Sequence, residues 1–218
     1  MKPKFPEREI RILTGQVELR SADDAEGKAK VRGYAAVFNK ESENLGSDNY
    51  QFREIIEPGA FSDVLKDDVR ALLNHDPNFI LARSKAGEGT LRIGQDETGL
   101  WYEFDAPDTQ AGRDLMESLK RGDIDQSSFS FTVEKGGQKW EEKEDPEGRT
   151  FIKRTIQKIA RLLDVSPVTY PAYQDATVAL RSLQEFITPE PEEKPEPDHK
   201  ISIAHRLRAL DLIDKTAK

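Results

Sequence analysis

The chain has 218 residues, with 41 acidic and 33 basic side chains and a net charge of −8. That length allows one domain with tails, and the acidic balance disfavours nucleic acid, whose phosphates call for clustered lysine and arginine. The absence of cysteine excludes disulfides, a thiol nucleophile and thiolate zinc sites.

The first residues, MKPKFPEREIRIL, are charged and lack an apolar core, so no secretory signal is expected there. No run approaches the ~20 apolar residues that span a bilayer, and a soluble, intracellular protein is expected. From residue 8 to 185 the pattern is that of one domain. Short alternating or apolar runs separated by turn residues predict strands over 16–20, 29–38, 50–56, 69–74, 90–93, 99–105, 127–134, 151–159 and 162–168. The turn-rich GQDETG predicts a hairpin between the runs at 91–93 and 100–104. A short helix is expected from Pro58, carrying Ala60, Phe61, Val64 and Leu65. A second is expected over 109–120, with Leu115, Met116 and Leu119 on one face and Gly122 closing it. The stretch 136–148 reads as a mobile hairpin or loop. Beyond it, residues 186–198 hold TPEPEEKPEPD, too polar to offset the entropy of ordering, and are expected to be a disordered linker. Residues 199–218 place Ile203, Leu207, Leu210 and Ile213 on one face of a short amphipathic helix.

Three segments could carry chemistry. Of the three histidines, His199 and His205 fall in the tail, and His75 alone falls in the domain, in VRALLNHDPNF. A histidine between an apolar strand and an Asp-Pro turn can serve as a general base near neutral pH. In RGDIDQSSFSFTVEK, strict alternation puts Phe129, Phe131 and Val133 on one face and Ser128, Ser130 and Thr132 on the other, where the serines can line an open surface. Periodicity does not choose the nucleophile among Ser127, Ser128 and Ser130. In ARLLDVSPVTYPAY, Asp164 stands among apolar residues, where a carboxylate is costly without a partner and could orient a histidine.

These segments resemble the prohead, or capsid maturation, serine protease family of tailed bacteriophages. RGYAAVFN with FREIIEPGAF, LLNHDPNFILARSKAGEGTLRIGQDETGLWYEFDAP, RGDIDQSSFSF and LLDVSPVTYPAY match the family's blocks in order over residues 30–182. The resemblance implies His75 as base, Ser128 as nucleophile, because it directly precedes Phe-x-Phe, and Asp164 as third member. The family commonly has glycine where Ser130 stands and glutamate where Asp164 stands. It further implies an α+β fold, mainly an antiparallel β-barrel with flanking helices like that of the herpesvirus assembly proteases. The implied activity is a serine endopeptidase without cofactor or metal. Its substrates would be the major capsid protein, scaffold segments and itself, with self-association, no nucleic acid and no membrane, inside the assembling prohead in the host cytoplasm. Two rivals are an inactive capsid assembly or scaffolding protein of the same fold, and a non-proteolytic esterase or amidase.

Overall fold

Alternation in QSSFSFTV builds the strand around which the largest sheet is assembled. The computed structural model describes residues 8–13, 17–20, 29–46 and 51–169. Among them, in chain order, run strands β1 (Glu9–Leu13), β2 (Val17–Arg20), β3 (Lys30–Val37), β4 (Phe52–Ile56), β5 (Val69–Leu73), β6 (Asp76–Lys85), β7 (Glu88–Gly89), β8 (Leu91–Gln95) and β9 (Gly99–Asp105). Helix α1 (Gln110–Arg121) follows, then β10 (Gln126–Val133), β11 (Gln138–Glu144), β12 (Thr150–Ile156) and β13 (Ile159–Val168). The predicted linker, 186–198, and terminal helix, 199–218, lie outside the described residues.

The strands form three sheets, ordered β1-β10-β13-β5-β6-β7, β11-β12-β4 and β2-β3-β9-β8. Pairing is antiparallel except for β13 beside β5 and β12 beside β4. Among the described residues no sheet pairs its first strand with its last, so in place of the expected closed barrel they form open sheets with edge strands. The expected flanking helices reduce to α1 among the described residues. Thr109 caps its N-terminus by accepting from the Gly112 amide (3.1 Å), and Gly122 closes it at φ 76°, a left-handed conformation in which glycine has no Cβ penalty. The segment from Pro58, expected to be a helix, is instead a run of tight turns. Its bonds span three residues, Ser62 to Gly59 and Val64 to Phe61, and Gly59 has φ 88°, which breaks a right-handed helix. The turns still bury Ala60, Phe61 and Val64 in the core.

Phe129 and Phe131 stack at 4.8 Å, and Phe61 meets Phe129 edge-on at 5.6 Å. With Val31, Leu100, Phe104, Leu162 and Val165 they belong to the main core. The predicted hairpin forms with Leu91 opposite Phe104. The 136–148 stretch is ordered into β11, which pairs along β12, and Trp140 packs on Phe52 at 5.4 Å.

Beneath Phe131 lies a feature of opposite character. Glu9 and Arg11 of β1, Glu54 of β4 and Arg154 of β12 are all buried and bonded in a ring. Arg11 Nε and Nη2 donate to the two oxygens of Glu54 (2.8 and 3.0 Å), and Arg11 Nη2 to Glu9 (2.6 Å). Arg154 donates to Glu9 (2.6 and 2.8 Å) and Glu54 (2.9 Å). Burial alone would raise the Glu9 carboxyl, but the hydrogen bonds and charges of Arg154 and Arg11 outweigh it and hold the group below its ordinary value. The ring ties β1, an edge strand, to two strands of another sheet.

Candidate active site

Of the three residues named from the sequence, two lie on neighbouring strands and the third in a turn beside them. Ser128 lies on β10. Asp164 lies on the adjacent β13, its Cα opposite Ser130, and a register shift follows at once, between Ser130 and Phe131; such bulges re-aim side chains. His75 is brought by the hairpin on the far side of β13. There Leu73 pairs with Asp76, so Asn74 and His75 alone make the turn, both with positive φ (54° and 59°). That two-residue geometry matches the twist of the flanking strands. The turn is also tied to β13: the Asn74 amide donates to Pro167 O (3.0 Å), and Asn74 Oδ1 accepts from the Thr169 amide (2.9 Å). Asparagine tolerates the left-handed region, whereas a Cβ without a local polar group costs about 1–2 kcal/mol there. Asn74→Gly is therefore expected to be more stable than Asn74→Ala by about 1 kcal/mol in urea unfolding; equal stability would show that this turn does not hold in solution.

The side chains meet in sequence. His75 Nδ1 lies 2.5 Å from Asp164 Oδ1, and His75 Nε2 lies 2.6 Å from Ser128 Oγ. With the Nδ1 proton donated to Asp164, Nε2 is bare and accepts the serine proton. The Arg11 carbonyl, 2.9 Å from Ser128 Oγ, is a second acceptor for that same proton. Ser166, two residues beyond Asp164, donates to Asp164 Oδ1 (2.9 Å) and lies 3.3 Å from His75 Nδ1. Arg8 completes the group, donating to Asp164 Oδ2 (2.9 Å) and to Ser130 Oγ (2.5 Å).

The geometry separates the candidate serines. Ser127 points into the core and donates to Tyr102 (2.8 Å), whose hydroxyl is pushed up by burial and remains neutral. Ser130 is held by Arg8, and Ser128 is the serine in contact with His75. The expected open face is a departure. Ser128 and Ser130 are fully buried, Asp164 is 3% exposed, and His75 exposes 10% of its side chain. The Ser128 hydroxyl is held between the Arg11 carbonyl and the imidazole, and the Ser130 hydroxyl is held by Arg8. Ser166 and Arg8 escaped the sequence reading. Period-two spacing from Asp164 could have marked Ser166, whereas nothing in the pattern marks Arg8. Among the described residues no cluster of three or more histidines and carboxylates could hold a metal ion.

The family model of the caudovirus prohead serine proteases matches residues 15–188. The chain belongs to that family. No curated protein matches it. Among solved structures, the capsid assembly protease gp21 of bacteriophage T4 is similar at 14% identity and a TM-score of 0.44, over 76% of this chain and 99% of that one. As a prohead protease family member, the chain carries His75, Ser128 and Asp164 inside the matched residues, and Arg8 outside them.

Proposed function

We propose that the chain is a serine endopeptidase of prohead maturation, with Ser128 as nucleophile, His75 as general base and Asp164 as the acid that orients it. The observation that carries the reading is the unbroken contact from Ser128 Oγ through the His75 ring to Asp164, in a chain of this family. Ser128 Oγ attacks the scissile carbonyl as His75 Nε2 takes its proton. The same proton then passes to the leaving amine, and water enters by the reverse sequence to release the acyl-enzyme. Asp164 holds the Nδ1–H tautomer and stabilises the imidazolium. Because Ser128 is fully buried, a substrate must displace part of its cover before attack.

The proposed substrates are the major capsid protein, scaffold segments and the chain itself, cut inside the assembling prohead in the host cytoplasm. Self-association and a fold shared with herpesvirus assembly proteases belong to the same proposal, and family membership supports both. The test is to incubate the purified chain, and a Ser128→Ala variant, with the major capsid protein of the same phage. Fragments are expected with the first alone. Intact capsid protein in both would favour a scaffolding role.

Self-cleavage is expected in or near 186–198, because a sequence with four prolines among acids has too few apolar residues to offset the entropy of ordering, the kind of segment where proteolytic nicking concentrates. Mass spectrometry of aged protein should show loss of the C-terminal peptide from wild type and not from Ser128→Ala. Equal trimming of both would show that another protease made the cut.

A further inference from the structure

Arg8 lies outside the family-matched stretch, yet its guanidinium touches two groups of the site. It directly precedes β1 (Glu9–Leu13), whose side chains alternate between faces. Glu9 and Arg11 go down into the buried ring with Glu54 and Arg154. Arg8 takes the opposite face, where Ser128 and Ser130 stand. Its side chain is 47% exposed while that of Asp164 is 4% exposed, so its place follows from the anchoring of the next residues rather than from its own burial.

The two carboxylate oxygens of Asp164 have different partners. Oδ1 faces His75 Nδ1 and accepts from Ser166; Oδ2 accepts from Arg8. The terminal torsion of an aspartate is broad and roughly two-fold. Donors at Oδ1 alone would let the carboxylate plane turn, and a guanidinium on Oδ2 that is also bonded to Ser130 fixes it. We propose that Arg8 is a positioning residue for the His75–Asp164 pair, acting through Asp164, so that the N-terminal strand is part of the catalytic apparatus. This rests on the reading of Asp164 as the orienting acid. The charged and polar groups around the imidazole are Asp164 and Ser166 from β13, Ser128 from β10 and, beyond Asp164, Arg8 just before β1. Arg70, opposite Asp164 on β5, is turned to Asp68 (3.3 Å), and the Asp76 carboxylate is occupied by Asn78.

The test uses the full chain and a fluorophosphonate, whose rate of serine labelling is followed against reagent concentration. Arg8→Met should label about 10- to 100-fold more slowly, as a misplaced catalytic group does, with the loss in the maximal rate and not in the half-saturating concentration. Arg8→Lys should recover part of the rate, since one ammonium cannot reproduce the fork to Asp164 and Ser130. In an Asp164→Asn background, Arg8→Met should cost less than about twofold, because contacting residues acting through one another are not additive. The proposal is overturned by a wild-type rate in Arg8→Met, by a loss confined to half-saturation, or by the full loss persisting in the Asp164→Asn background. If Asp164→Asn itself labels at the wild-type rate, the assignment of the acid fails as well. An impaired Asp164→Asn beside a normal Arg8→Met removes the Arg8 inference alone.

Discussion

Ser128→Ala and His75→Ala are each expected to lower peptide-bond cleavage by on the order of 10⁴- to 10⁶-fold, since members of such a site act as a unit. Ser128 Oγ has His75 Nε2 at 2.6 Å, within the reach that proton transfer requires. Ser130 cannot take over: Cα positions two apart on a strand are about 6.6 Å apart, and its hydroxyl accepts from Arg8. Ser127 is directed at Tyr102 in the core. Ser128→Ala removes one buried hydroxyl and no apolar packing around Phe129 and Phe131, so it should unfold within about 1.5 kcal/mol of wild type, the span of a single buried hydrogen bond, and His75→Ala, which removes both ring contacts, should cost more while the variant still folds. Turnover within tenfold of wild type by either variant, measured with a capsid-protein substrate, would remove that residue from the chemistry.

The largest stability effect is expected at Arg154. Arg154→Met keeps an unbranched apolar stem but removes the guanidinium that lies over Trp140, and it leaves Glu9 and Glu54 sharing Arg11 in a buried site. Removing one partner of a buried ion pair costs about 3–5 kcal/mol because the remaining charge is uncompensated. Urea unfolding measures it, and a loss below about 1 kcal/mol would mean that water reaches the ring. The pH dependence has a definite sign. The Glu9 carboxyl is held below its ordinary 4.5 in the folded chain, so its contribution is fully present above that value and is lost as pH falls further, through the lowered one. Wild type should therefore lose stability in acid more steeply than Arg154→Met.

This ring also explains which parts of the fold were legible. Strands with one apolar face, such as β9 and β10, announce themselves by alternation. In β1 the inward residues are Glu9 and Arg11, so EREIRIL has the pattern of a charged tail, and its strand character follows from partners on β4 and β12, more than 40 residues away in sequence. β11, QKWEEKE, is exposed along most of its length and has no periodicity to detect; its order comes from pairing with β12. Pro77 masked the start of β6. The segment after Pro58 has helical spacing of apolar residues, but Gly59 at φ 88° diverts it into turns that bury the same side chains. In the candidate site, His75, Ser128 and Asp164 were legible through four short blocks in order. Their cover was not, because the sealing of Ser128 depends on the Arg11 carbonyl, a backbone atom that no residue pattern encodes.

The most direct measurement is the position of a fluorophosphonate adduct, mapped by tandem mass spectrometry on the full chain. The account predicts a single adduct on Ser128, lost in His75→Ala. An adduct on Ser127 or Ser130, or undiminished labelling of Ser128 without His75, would contradict it.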